Sequence, residues 1–394
     1  FFNDTATTEI YTLSLHDALP IFKLCTLSTK DRIYFYDKSI VVFFSGKRKV
    51  LSTSTYNGGY HEDYTAVYNY DGKQGAGMPC EMLADTYEEH MRLISQRLAL
   101  DPDSVSGMST AASMENAVIE SLSFKELIVT AIVTGGIETN GGRVGDPADY
   151  YRPIEKPDKY GTINIILLFN CDMPAGTMAR ALVTCTEAKA AAIQELLAGS
   201  NYSTGLATGS GTDQTIIVAN SESELYFEGA GKHSKIGELI GKVVIKAVKA
   251  ALNKQSGLNP EYQHNAFRRM KRFGITPGTM WKLYSETTGA KVKPVYLVEA
   301  EKLAAADKML TTTSLYIHLI DQLQWRLINE EEAREAANML LKHLSESYSV
   351  ADVELAGANM DEMTAVWCKL FNMIVASTLE EIDAAEGDLS VKAD

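Results

Sequence analysis

A chain of 394 residues, 45% of them hydrophobic and 22% charged, carries enough apolar mass for two or three domains of about 150 residues each, and no apolar run nears the roughly 18 residues that span a bilayer. A formal net charge of −14 excludes a general nucleic-acid binder, which needs a basic face. Five scattered cysteines, Cys25, Cys80, Cys171, Cys185 and Cys368, are odd in number and lack metal-ligand spacing, and a reducing, cytoplasmic setting accounts for them most simply.

Taken in order, residues 1–21 stand outside the fold: Asn3 to Ile21 resembles the translation of a short-read sequencing adapter, with no basic start and no sustained apolar core. From Arg32 to Thr55 the β-branched and alternating residues predict a hairpin at a sheet edge, with turns at Asp37-Lys38 and Ser45-Gly46. Asn57-Gly58-Gly59 is a tight turn amid Tyr56, Tyr60, Tyr64, Tyr68 and Tyr70, which serve either sheet packing or a flat ligand. Residues 83–99 are helical by spacing and stop at Asp101-Pro102-Asp103, and a short helix is expected over Met108 to Ile119. Phe124 to Thr134 reads as a buried strand delivering a turn from Gly135 to Asp146, whose Glu138, Asn140, Arg143 and Asp146 are more hydrogen-bonding groups than a connection needs. An Arg143–Asp146 pair that merely holds this turn is the plainer account.

A proline-rich excursion from Asp149 to Tyr160 precedes the buried strand Gly161 to Phe169, which Asn164 interrupts as a backbone partner or as a site residue. Thr184 to Leu197 predicts a helix capped by Thr184 or Thr186. The turn Thr204 to Asp213 alternates glycines with hydroxyl residues, opening its backbone to a polar ligand, and enters the strand Thr215 to Ala219. A second glycine-rich turn, Phe227 to Lys235, holds His233 and leads into a helix through Leu252. Residues 253–263 read as a linker, and 264–394 as a helical domain of unassigned role, with helices over Tyr296 to Ile328, Glu330 to Ser345 and Met360 to Ala384. His318 and His343 are isolated there, and the basic run Arg268 to Arg272 is expected to be a solvated face, phosphate binding being the lesser alternative.

Six segments carry a resemblance: Leu51 to Gly59, Val133 to Asp146, Gly161-Thr-Ile-Asn164, Thr186-Glu-Ala-Lys189, Ala207 to Asp213 and the turn around His233. In this order and spacing they resemble the adenosylcobinamide amidohydrolase family over about residues 30–252, within a first domain taken as 22–252. Ser210 stands where that family more often has threonine, which keeps the hydroxyl, and Ser54 where alanine is usual.

The resemblance implies hydrolysis of the amide that joins an aminopropanol arm to a corrin-ring propionate, in corrinoid salvage, with no cofactor beyond the cobalt that the substrate itself carries and no added metal. Amide hydrolysis needs a nucleophile, oxyanion donors and a proton for the departing amine. One assignment makes Asp213 or Glu187 the base for water, His233 the proton donor and Lys189 the electrostatic support. A rival makes Thr212 or Ser210 the nucleophile. Gly209 and Gly211, with Thr208 or Thr212, would hold the oxyanion, and Asn57, Asn140, Arg143, Asp146 and Asn164 join Thr208, Gly209, Ser210 and Gly211 as substrate-binding candidates. Each has a plainer alternative: Glu187 pairing with Lys189, Asp213 capping its turn, His233 bonding a loop. A non-catalytic corrinoid carrier or sensor would account for the same loops. A phosphate loop is disfavoured, since the turn at 208–213 lacks the lysine and enters a strand. The fold class expected is α/β or α+β, a mixed sheet layered with helices, followed by the helical unit. The expected partner is a small corrinoid, with neither nucleic acid nor membrane insertion.

Overall fold

The computed structural model describes residues 20–73, 80–148, 151, 161–288 and 292–391. The adapter-like start up to residue 19 and all of the excursion at 149–160 except Tyr151 lie outside them. The chain divides into two compact units, the first built from residues up to 141, 152–192 and 209–256, the second from 142–151, 193–208 and 257–394.

The first unit layers two sheets with helices. Strands β1 (Phe22–Thr26), β2 (Arg32–Tyr36), β3 (Ser39–Phe43), β4 (Arg48–Ser52), β5 (Gly59–His61) and β6 (Ala66–Asp71) precede helix α1 (Tyr87–Arg97), and β7 (Val105–Thr110), β8 (Val118–Phe124) and β9 (Leu127–Gly135) follow it. Next come the two-residue β10 (Gly141–Gly142), β11 (Ile163–Phe169), α2 (Ala175–Glu195), the two-residue β12 (Gly209–Ser210), β13 (Gln214–Asn220) and α3 (Lys235–Ser256). One sheet runs β1-β2-β3-β6-β7 and the other β5-β4-β13-β11-β9-β8. In the second, β11 and β13 are parallel neighbours, flanked by antiparallel β9 and β4.

Period-2 alternation sets the layers. Ile166, Leu168, Ile216 and Val218 meet Ile33, Ile40, Val42, Val67 and Met108 between the sheets. The opposite parity of the first sheet, Val41, Ala66, Tyr68, Tyr70 and Val105, packs on Met91, Ile94 and Leu98 of α1, and α3 lies against β8 and β9. Tyr56, Tyr64, Tyr68 and Tyr70 are buried in this packing, and only Tyr60 of the five is exposed.

The hairpin read from residue 32 is β2–β3, with Asp37 and Lys38 both at positive φ, as a two-residue hairpin turn of matching twist requires. Its next strand, β4, departs from the expected edge: it crosses into the second sheet and pairs β13 and β5. The expected helix over Met108 to Ile119 is instead the end of β7, a turn of 3-10 helix at Met114–Asn116 and the start of β8. Parallel pairing of β7 with β6 overrides the local helix propensity, and Gly107 is required there because a Cβ would strike the Tyr68 ring. Helix α2 starts nine residues before the expected caps, so Thr184 and Thr186 lie inside it, with their hydroxyls donating to Ala230 O (2.8 Å) and Leu182 O (3.0 Å).

His90 on α1 is buried, and its Nδ1 accepts the Leu83 N–H at 3.0 Å. Burial, then the nearby Arg97 charge, lowers its pKa below the ordinary 6.5. The folded state therefore prefers neutral His90, and its contribution is complete above about pH 6.5 and declines as pH falls toward the lowered folded value. Urea melts between pH 5 and 7.5 should show stability falling on the acid side, and His90→Gln should flatten that part of the slope.

The second unit is helical: α4 (Ala266–Met270), α5 (Pro277–Thr288), α6 (Lys293–Ala305), α7 (Asp307–Gln324), α8 (Glu330–Ser347) and α9 (Met360–Val391). Its core gathers Phe267, Met280, Tyr296, Tyr316, Trp367 and Phe371. The polar tips find partners: Trp367 Nε1 donates to Thr313 Oγ1 (3.1 Å), Tyr296 Oη to Asn372 Oδ1 (2.6 Å) and Tyr316 Oη to Met363 O (2.8 Å). The helix expected from Tyr296 to Ile328 is two helices, broken where Ala306 turns extended. The basic run departs from a solvated face, since Arg272 is buried against Asp321 at 2.7 Å and Arg268 stacks on Tyr262. His318 and His343 are exposed.

Candidate active site

Strand direction brings four of the family-like turns to one end of the second sheet. Ile163 pairs with Gly135, Asn164 with Gln214 and Ile216 with Ser52, so the ends of β4 and β9 and the beginnings of β11 and β13 lie together. Short bonds join the turns there. Thr162 Oγ1 donates to Thr212 O (2.7 Å), Thr212 Oγ1 to Gly161 O (2.9 Å), Gly136 N to Thr162 O (3.1 Å) and Thr215 N to Thr53 Oγ1 (2.9 Å). Asn140 Nδ2 also donates to Gly161 O.

Asp213 is the centre of this end. Its Oδ1 accepts Ile163 N (2.8 Å) and Ser210 Oγ (2.6 Å), and its Oδ2 accepts Ser210 N (3.0 Å) and the Lys189 ammonium. Lys189 comes from α2, and the side chains of this ion pair are 12% and 10% exposed. A carboxylate offers about four lone-pair sites, and all four are occupied. Gly209 makes the arrangement fit, because a Cβ at that position would clash with both the Asp213 carboxylate and the Lys189 ammonium. The turn is thus capped by Asp213, as the plainer account has it, and the same carboxylate holds a hydroxyl and a cation.

The other sequence candidates fall in three places. Glu187 lies two residues from Lys189, a rotation of about 200° on a helix, and it pairs with Lys232 at 3.4 Å in solvent. His233 is exposed in the turn before α3. At that end of α3 Lys235 covers the Phe124 ring, 4.5 Å away at the tip of the β8–β9 hairpin, whereas Leu252 near the far end of the helix stands beside Gly135. A helix of 22 residues extends about 33 Å, so His233 and Asp213 are at opposite ends of the sheet, and the structure does not bring Glu187 or His233 to Asp213.

Asn57 and Asn164 are within the turn end but committed. Asn57, at positive φ, donates to Pro102 O (2.7 Å) and Val105 O (2.8 Å). Asn164, fully buried, donates to Asn69 Oδ1 (2.9 Å) and Ser109 O (3.0 Å) and accepts from Thr162 Oγ1 (3.2 Å). Asn69 in turn donates to Thr134 Oγ1 at 2.8 Å, so a polar seam runs between the sheets at this end. Sequence reasoning passed over Asn69, Thr134 and Tyr87. A polar residue in a strand beside one facing it was the available signal for the first two.

Arg143, Asp146 and Thr208 belong to the second unit. Asp146 accepts Arg143 N (2.7 Å) and the Ser200 hydroxyl. Burial pushes its pKa up, but bonds from Ser200, Ser203 and the Arg143 backbone, with the Arg143 charge, outweigh that and hold it below the ordinary carboxylate value. Thr208 Oγ1 accepts Val144 N at 3.0 Å. These groups brace one another within that unit.

Among the described residues no three His, Cys, Asp or Glu side chains are grouped to hold a metal ion, and no helix is long and apolar enough to cross a membrane.

Comparison with known proteins bears on the same stretch. An uncharacterised protein of Methanocaldococcus jannaschii is 34% identical over 231 residues, covering 55% of this chain and 87% of its own. An adenosylcobinamide amidohydrolase of Methanosarcina mazei is 25% identical over 226 residues, covering 55% and 96%. A crystal structure of a Pyrococcus horikoshii protein aligns over 65% of this chain and 89% of its own at 11% identity, with a TM-score of 0.27 that is too low to bear on the fold. The family model described as adenosylcobinamide amidohydrolase matches residues 24–260, which include every strand and turn of the Asp213 end, and the chain belongs to that family.

Proposed function

We propose that the chain hydrolyses the aminopropanol amide of adenosylcobinamide, giving adenosylcobyric acid and the free amino alcohol. The observation that carries this reading is the Lys189–Asp213–Ser210 relay, held where four family segments meet.

The geometry favours the nucleophile scheme over direct activation of water. Water reaches an Asp213 lone pair only by displacing a donor, and the donor already lined up to lose its proton is Ser210 Oγ, 2.6 Å away. In this scheme Ser210 Oγ attacks the amide carbonyl as Asp213 takes its proton, with Lys189 balancing the charge. The tetrahedral oxygen is received by backbone N–H groups of the 209–212 turn. Asp213 returns the proton to the departing amine, in place of the distant His233. Water then attacks the resulting ester, giving its proton to Asp213, and Ser210 is restored. Purified residues 22–394 incubated with adenosylcobinamide should release aminopropanol and adenosylcobyric acid, read by mass spectrometry. Binding of the corrinoid without turnover would instead make the chain a carrier or sensor.

A further inference from the structure

Four buried side-chain nitrogen or oxygen atoms among the described residues have no hydrogen-bond partner: Asn140 Oδ1, Gln214 Oε1, Arg269 Nε and Ser345 Oγ. The two in the first unit are both carboxamide oxygens, and both belong to the turn end of the second sheet. Buried acceptors without a donor are uncommon, and a pair of one chemical kind beside a candidate site calls for a reason.

Their orientations are set by neighbouring groups. Asn140 is 3% exposed, and its Nδ2 donates to Gly161 O, the carbonyl that also receives Thr212 Oγ1, so its oxygen is the end left over. Gln214 follows Asp213 directly and shares parity with Ile216 and Val218, which point between the sheets. Its amide interacts there with the Tyr87 hydroxyl, which Ser109 and Ser54 also approach. Burial raises the pKa of that hydroxyl, which stays neutral near pH 7. Neither neighbour supplies a donor to the free oxygens.

We propose that Gln214 Oε1 and Asn140 Oδ1 accept hydrogen bonds from N–H groups of a carboxamide-bearing substrate, so that they select amide over ester or acid side arms. This rests on the corrinoid reading above, since the corrin rim carries several carboxamides. Sites built to bond an N–H reject analogues that lack it, because the buried acceptor is then left unmatched.

The test compares binding of cobinamide with that of a neutral corrinoid whose rim carboxamides are replaced by methyl esters, followed by the corrinoid's visible absorbance. Wild-type protein should bind the carboxamide form about tenfold or more tightly over the ester. Gln214→Met, which removes the acceptor at similar size, should bring that ratio close to one, and Asn140→Leu should lower it in the same direction. Gln214→Glu, which keeps an acceptor and loses the contact to Tyr87, should retain most of the ratio, whereas a merely structural Gln214 would suffer from both changes alike. A ratio unchanged in Gln214→Met, as expected if an ordered water satisfies that oxygen, overturns the proposal and leaves the corrinoid reading intact. A wild-type protein that binds neither corrinoid overturns both.

Discussion

Asp213→Asn should lower amide hydrolysis by about a thousandfold or more, the scale on which loss of a base in a nucleophile–base pair acts. The substitution keeps the shape but cannot take the Ser210 proton, and it leaves Lys189 facing an amide. Loss of activity with an unchanged circular dichroism spectrum and melting curve separates chemistry from folding. The informative partner is Ser210→Ala. With Ser210 as nucleophile it should be as damaging as Asp213→Asn, and the double variant should be little worse than either, as for residues that act as one unit. If Asp213 activates water instead, Ser210→Ala frees a lone pair on Oδ1 and activity should persist. Full activity in Asp213→Asn would remove the relay from the mechanism altogether.

The largest effect on stability is expected at Arg48. Its guanidinium is 2% exposed and grips the equally buried Asp31, with Nη2 to Oδ1 at 2.8 Å and Nε to Oδ2 at 2.9 Å. The remaining donors reach Asn220 Oδ1 (2.8 Å), Lys47 O (2.8 Å) and Thr29 O (3.1 Å). Removing one member of a buried pair strands the other's charge, so Arg48→Met should cost about 3–5 kcal/mol in urea denaturation. Asp31→Asn added to it should recover part of that loss, because the stranded carboxylate is gone. If Arg48→Met alone costs no more than an exposed charge change, the pair is not what fastens β4 at its first residue.

Most of the strands and the helical character of the last third were legible in the sequence, because β-branched runs bounded by glycine and helical spacing of Leu, Met and Ala are local signals. Partner choice was not. Nothing in Arg48 to Ser52 reveals that this strand leaves the hairpin for the other sheet, and Val105 to Thr110 looks helical until β6 is there to pair with it. At the site, the glycine-rich turns before β13 and after β9 were readable as polar corners, and Lys189 with Asp213 was named. The separation of His233 from Asp213 depends on the direction in which α3 runs along the sheet, a tertiary property. The roles of Asn57 and Asn164 turned on which carbonyls happen to stand opposite them.

The crossing of β4 into the second sheet also constrains the order of events during synthesis. Ser52 waits for Ile216, 164 positions further along (216 minus 52), before its ladder on that side can close. Until β13 leaves the ribosome, the apolar inner face of the first sheet has no complete counterpart, and closure of so long a loop is slow. A nascent chain halted short of residue 214 should therefore be a client for chaperones, and the family's catalytic turn is among the last pieces that make the nucleus whole.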